Sequence, residues 1–202
     1  MQPLDTTFFL YMTQAYHQDE TFNKANFQNS DLRGSEYDGC VFTSCIFNQA
    51  DLSDCKFIDC KFIHCDLSLA TVSRTSFQDA SFSHCKMMGI SFASCSTFGL
   101  SFVFDNCQLQ HSIFTKLKLK GQKFSNCALQ EVDFTEADIS AAVFEQCNLE
   151  RSIFRQTNLE KADFQTSFNY SIDPESNRIK KAKFSMWGLS GLLSKYEILI
   201  AK

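Results

Sequence analysis

Counting in fives from Phe22 meets only apolar residues: Phe22, Phe27, Leu32, Tyr37, Phe42, Phe47, Leu52, Phe57, Phe62, Leu67, Val72, Phe77, Phe82, Met87 and Phe92. The count then slips by two and resumes at Phe104, running through Leu109, Phe114, Leu119, Phe124, Leu129, Phe134, Ile139, Phe144, Leu149, Phe154 and Leu159 to Phe164. In a chain that is 44% hydrophobic, runs of this length arise by chance with a probability on the order of 10⁻¹⁰. A period of five matches neither the 3.6 of a helix nor the 2.0 of a flat strand. The chain must therefore turn at each repeat and bring every fifth side chain to a common axis, which a four-sided coil does. The 22 phenylalanines are the product of this repetition.

Two residues before each of these central positions lies a second inward set of small residues, among them Ala25, Ser30, Ser35, Ala50, Ala70, Ala80, Ser112, Ala137, Ala142, Ser152 and Ala162. All ten cysteines (Cys40, Cys45, Cys55, Cys60, Cys65, Cys85, Cys95, Cys107, Cys127 and Cys147) fall on it when the register is continued to Thr97. With four faces per turn, residues twenty apart stack, so Cys45, Cys65 and Cys85 form one column and Cys107, Cys127 and Cys147 another. Neighbours there lie about 4.8 Å apart. Parallel side-chain vectors disfavour disulfides at that spacing, and the expectation is reduced, packed thiols behaving as small hydrophobes. Five of the seven glycines (Gly34, Gly39, Gly89, Gly99 and Gly121) fall two residues after a central position, where a corner needs a backbone that tolerates positive φ.

Charge argues against direct nucleic-acid binding: the net charge is −4, whereas phosphate contacts require a basic surface. No apolar stretch approaches the roughly 18 residues of a membrane span. The run from Phe8 to Met12 is too short, and lacks the basic leader, for a signal peptide. A cytoplasmic location is the expectation. No nucleophile and base are seen to converge, no Cys-x-x-Cys pattern appears, and glycine-rich phosphate loops are missing, so the chain reads as a non-enzyme with no cofactor. His64 and His84 lie twenty apart, outward on one face; an adventitious metal site there is the weak alternative to plain surface residues.

The blocks ADLSDCKFIDCKFIHCDLSLA and CNLERSIFRQTNLEKADF resemble the A(D/N)LXX signature of pentapeptide-repeat proteins, over about residues 20 to 184. The resemblance implies an all-β fold, a right-handed quadrilateral β-helix of the solenoid type, with about eight coils and a length of about 38 Å. Residues 1–21 then form an N-terminal cap, with Phe8, Phe9 and Tyr11 as a lid, residues 22–184 the β-helix and residues 185–202 a C-terminal capping or dimerisation segment. The tail SIDPESNRIKKAKFSMWGLSGLLSKYEILI is similar to the end of the Qnr-type fluoroquinolone-resistance proteins, where an irregular coil leads into a short helix and a terminal strand joining two subunits. That likeness implies binding to DNA gyrase and topoisomerase IV in imitation of duplex DNA, and a homodimer through Trp187, Leu189, Leu192, Leu193, Tyr196, Ile198 and Ile200. A monomeric apolar cap is the other reading of those residues. Two loops project from many Qnr proteins. Here the first is absent, and the second is reduced to the slip around Ser96–Phe104, which leaves drug protection open while loop-poor relatives chiefly inhibit gyrase.

The slip is also where the small inward position is violated, by Ile90, Phe102, Leu117 and Gln122, so a local bulge is expected there. It reads either as a partner contact or as a tolerated insertion. Residues 1–170 carry a net −7 and residues 171–202 a net +3, so the rod has about a third of the charge density of B-DNA. Acids gather on two adjacent faces: Asp31, Glu36, Asp38, Asp51, Asp54, Asp59 and Asp79 face only Arg33, Lys56 and Arg74. With Phe98 and Asp105 at the slip, these acids are the expected topoisomerase contacts, attracted at long range to a positive DNA-binding groove. An ordinary solvated surface is the competing reading, and Lys116, Lys118, Lys120 and Lys123 form a basic patch that spoils uniform mimicry. An interaction scaffold or effector with another protein partner is the alternative function.

Overall fold

The computed structural model describes residues 15–199. The chain winds as a parallel β-solenoid of about eight turns with a single short helix, Ser190–Leu193, near its end. Each turn contributes one rung to each of four walls. Wall A begins with the strands Tyr16–Gln18, Glu36–Asp38, Lys56–Ile58 and Ser76–Gln78, paired in parallel with a shift of twenty residues. Wall B is a 9-stranded parallel sheet running from Thr21–Asn23 to Lys183–Phe184. Walls C and D are held by single bridges, such as Asp66↔Lys86 on C and Asp133↔Ile153 on D.

The five-residue period is explained by what each position does. The central side chain points inward, and on wall B these side chains form one continuous phenylalanine column. Ring centroids are 4.8 Å apart for Phe42–Phe62 and 5.1 Å for Phe124–Phe144, with planes within 10° of parallel. Rings on neighbouring walls meet edge to face, as Phe124 and Phe134 do at 6.0 Å and 77°, an arrangement that suits the aromatic quadrupole. The residue before the centre is often Asp or Asn because its side chain accepts the backbone N–H two residues on: Ser53 N–H to Asp51 Oδ1 at 3.0 Å, Thr135 N–H to Asp133 Oδ1 at 2.8 Å. This Asx turn starts the corner. Two residues after the centre the backbone is left-handed. The five expected glycines have φ between 62° and 74°, and the same position holds Asp79 at 52°, Lys116 at 61° and Leu69 at 59°.

The small inward position does more than save space. Its side chain donates to a backbone carbonyl of the coil before: Cys65 Sγ to Phe42 O at 3.3 Å, Cys85 Sγ to Phe62 O at 3.3 Å, Thr75 Oγ1 to Leu52 O at 2.8 Å, Ser152 Oγ to Leu129 O at 2.6 Å. Cysteine, serine and threonine share both the volume and the donor, which is why they alternate there. All ten thiols are free and buried. Burial pushes the Cys55, Cys60 and Cys95 thiols up to about 12, because a thiolate in the apolar interior would lose its hydration.

Three expectations about the ends change. Tyr16–Gln18 already pairs in register with Glu36–Asp38, so residues 16–21 belong to the first coil and not to a cap. The central residue of that rung is His17, stacked on Tyr37 at 5.0 Å, and a polar centre hid the rung from a count of apolar residues. Phe8, Phe9 and Tyr11 lie outside the described residues. At the other end, Glu197–Leu199 form no strand, and Ile200 is likewise outside.

Of the described residues expected to cap that end, only Leu192 packs on the core. The closing is done by Tyr170 and Ile172, both buried, where the chain leaves the five-residue register. Ile172 N–H donates to Gly191 O at 2.9 Å, and Lys195 bridges Asp173 at 2.7 Å and Glu175 at 2.6 Å. Both contacts tie the tail to the last coil. Gly188 and Gly191 lie so close to Tyr170 that a Cβ on either would overlap it. Trp187, 93% exposed, together with Leu189, Leu193, Tyr196 and Ile198, forms an open apolar surface.

Candidate protein-binding surface

The expected acids divide according to their wall. Asp31 and Asp51 lie on wall D and are the bridge residues of adjacent rungs; each also caps its own corner through an Asx turn. Arg33 grips Asp31 with two hydrogen bonds, 2.8 and 2.7 Å, and holds its carboxyl down to about 2. Asp54, on the corner between walls D and A, is held by Arg74 through two bonds of 2.6 Å. Glu36 on wall A meets Lys56 one rung away at 2.9 Å. These pairs are local, and they thin the stripe that the sequence suggested.

The remaining acids stand together. Asp38 lies on wall A, and Asp59 and Asp79 on the corner it shares with wall B. Among the described residues, none of the three makes an ion pair. Asp19 occupies the same corner column as Asp59 and Asp79, also at positive φ, and is also without an ion pair. Asp19 lies forty residues before Asp59 and so on the same column, inside the stretch that the apolar count leaves to a cap. Rungs are about 4.8 Å apart, so Asp59 and Asp79 repeat negative charge along a straight edge at a spacing comparable to the 3.4 Å per phosphate of one DNA strand.

The slip falls on wall A directly beyond these acids. Ser96 N–H donates to Thr75 O at 2.9 Å and Ser101 N–H to Phe77 O at 3.0 Å; between them Thr97, Phe98 and Gly99 turn outward and Leu100 packs back on the core. Thr97, due inward by the count, is exposed, and Phe98 is 82% exposed at the tip. Phe102 fills the vacated interior, 6.2 Å from Phe77 and 5.4 Å from Phe92. The large residues at small positions are accommodated: Ile90, Leu117 and Gln122 are buried, and Gln122 Nε2 donates to Phe102 O at 3.0 Å. Asp105 is placed apart, half-buried on wall B between Ser83 and Ser125. Lys118 and Lys120 stand exposed on wall A one rung beyond the loop. Lys116 and Lys123, on the flanking corner and wall, pair with Glu136 at 3.8 Å and Glu145 at 3.2 Å.

His64 and His84 stack on the corner of walls B and C with centroids 4.9 Å apart. Among the described residues, no group of three or more His, Cys, Asp or Glu is placed to hold a metal ion. No described helix is long and apolar enough to cross a membrane.

The family described as pentapeptide repeat region matches residues 55–125 and 100–164, and the related family of pentapeptide repeats (9 copies) matches residues 22–66. The chain belongs to the pentapeptide-repeat family. Solved structures to which it is similar include a trypsin-treated variant of QnrB1, a plasmid-mediated fluoroquinolone resistance protein, at 21% identity over 93% of this chain and 100% of that one, with a TM-score of 0.47. Full-length QnrB1 is 21% identical over 91% of this chain and 100% of its own, TM-score 0.46. HetL, a pentapeptide-repeat protein involved in heterocyst differentiation regulation in the cyanobacterium Nostoc sp. strain PCC 7120, is 13% identical over 86% of this chain and 87% of its own, TM-score 0.47. No curated protein matches the sequence.

Proposed function

We propose that this chain is a non-enzymatic, cytoplasmic binding protein that docks on a type II topoisomerase, DNA gyrase or topoisomerase IV, in place of DNA, and so modulates its activity or its sensitivity to fluoroquinolones. The observation that carries this reading is the acidic edge of wall A, where Asp19, Asp38, Asp59 and Asp79 make no ion pair among the described residues. Likeness of the tail to Qnr-type proteins supports the partner. A positive DNA-binding groove is the complementary surface, and association with it is accelerated by long-range attraction. The exposed apolar surface at Trp187, Leu189, Leu193, Tyr196 and Ile198 gives a second copy a place to pack, in accord with a homodimer through the C-terminus.

Purified protein titrated into gyrase supercoiling reactions, with and without ciprofloxacin, tests the proposal. Inhibition, or rescue of drug-treated enzyme, at micromolar protein is expected; the absence of both removes the topoisomerase reading. That outcome would leave a scaffold for another protein, a reading favoured by the lysines that share wall A with the acids.

A further inference from the structure

Wall A is charge-antisymmetric about Phe98. Four rungs precede the loop and carry Asp19, Asp38, Asp59 and Asp79; the rungs that follow carry Lys118 and Lys120, then Asp138, then Lys161, then Lys180 and Lys181. None of these lysines makes an ion pair among the described residues. Asp138 is engaged within its own wall by Asn158 Nδ2 at 2.9 Å and by Ser140 N–H at 3.1 Å. Glu160, the other acid in this half, is taken up by Arg178 at 2.8 Å. One half of the wall is thus negative and the other positive, with an exposed aromatic ring between them.

We propose that wall A is a self-complementary surface on which a second copy of this chain lies antiparallel, with the two-fold axis crossing the wall at Phe98. A two-fold contact places the same patch of both copies face to face, so each residue meets its counterpart reflected across the axis. Counting rungs outward from Phe98, Asp79 meets the rung of Lys120, Asp38 that of Lys161, and Asp19 that of Lys181. Opposite signs meet at three of the four levels. The fourth sets Asp59 against Ala141, the corner residue of the Asp138 rung. The same corner columns face each other, because this rotation reverses the rod and keeps its left and right edges. A parallel arrangement would stack acid on acid and lysine on lysine, so charge selects the antiparallel one. At the centre the two Phe98 rings come together as the buried aromatic anchor that such an interface needs.

Exposed ion pairs are weak and screened by salt, so the association is reversible. It also covers the acidic edge, which makes self-pairing and docking on a basic partner mutually exclusive. The pairing itself does not rest on the topoisomerase reading, and its test contains no topoisomerase.

Two variants isolate it. Asp19→Lys with Asp79→Lys sets lysine against lysine at two of the three paired levels, and Lys120→Asp with Lys181→Asp sets acid against acid at the same two. Lys24 and Lys116 already occupy the corner position at φ 55° and 61°, so lysine is tolerated there. Mass is followed by sedimentation and light scattering at about 100 μM protein in low salt. Each variant alone is expected at half the wild-type mass, and an equimolar mixture at the wild-type mass, with the self-dissociation constant of wild type rising at least tenfold in 0.5 M salt. A wild type of monomer mass, variants that keep the wild-type mass, a mixture that fails to recover it, or an association indifferent to salt each overturns the proposal. Salt indifference would point instead to the apolar surface around Trp187.

Discussion

At the scale of single residues, the repeat assigns each position one physical task. The inward thiols donate to backbone carbonyls, so the expected ranking of substitutions at Cys55, whose Sγ lies 2.9 Å from Leu32 O, follows from the donor. Cys55→Ser keeps it and stays within about 1 kcal/mol of wild type, whereas Cys55→Ala loses it and leaves a small void, at about 1–2 kcal/mol; urea denaturation measures both. Cys55 and Cys95, whose thiols burial pushes up to about 12, hold their protons more tightly than in the unfolded chain, where a thiol titrates near 9.0. Their contribution to stability is therefore complete below pH 9 and is lost as the pH climbs from there toward 12. Thiol reagents should label none of the ten cysteines at neutral pH without denaturant and all of them in it. Gly121 isolates the corner: nothing lies within 4 Å of an added Cβ, and φ is 74°, so Gly121→Ala should cost about 1–2 kcal/mol from backbone conformation alone.

At the scale of the element, stability resides in stacks that no single rung can form. Phe124 is fully buried between Phe104 at 5.6 Å and Phe144 at 5.1 Å, and Phe124→Ala is expected to lower unfolding free energy by about 3–5 kcal/mol. Phe98→Ala should change it by less than about 0.5 kcal/mol, since that ring packs on nothing inside. Calorimetry of the pair separates core phenylalanines from the exposed one. Both positions are phenylalanine, and what told them apart in sequence was register: Phe124 lies on the five-residue count and Phe98 does not. The count failed where chemistry departed from it. His17 is a central residue without being apolar, and Thr97 lies on the count but is expelled because Phe102 takes its interior space. Tyr170 and Ile172 close the last coil from outside the register. The inward direction of the cysteines and the left-handed corners at glycine were legible because each rested on spacing alone.

At the scale of the whole molecule, the walls of the rod differ in charge. Composition does not say which acids are free, whereas the stacking interval does: Glu36 with Lys56 and Asp54 with Arg74 lie twenty residues apart and meet across adjacent rungs. Once those pairs are set aside, the surface that remains is narrower than the stripe suggested by sequence and extends one rung further, to Asp19. The tail behaves as a separate unit clamped onto the last coil. Gly191→Ala should unseat it from Tyr170 and speed tryptic cleavage after Lys195, which Asp173 and Glu175 hold in the seated tail, while leaving the β-sheet circular dichroism unchanged. The functional claim depends on the acidic edge, and the most direct test is the affinity of the full chain for purified gyrase, compared with that of Asp38→Asn, Asp59→Asn and Asp79→Asn combined. Micromolar or tighter binding by wild type, weakened at least tenfold in the triple variant and flattened in its salt dependence, is the predicted result. Equal affinity of the two proteins, or no binding by wild type, would contradict it.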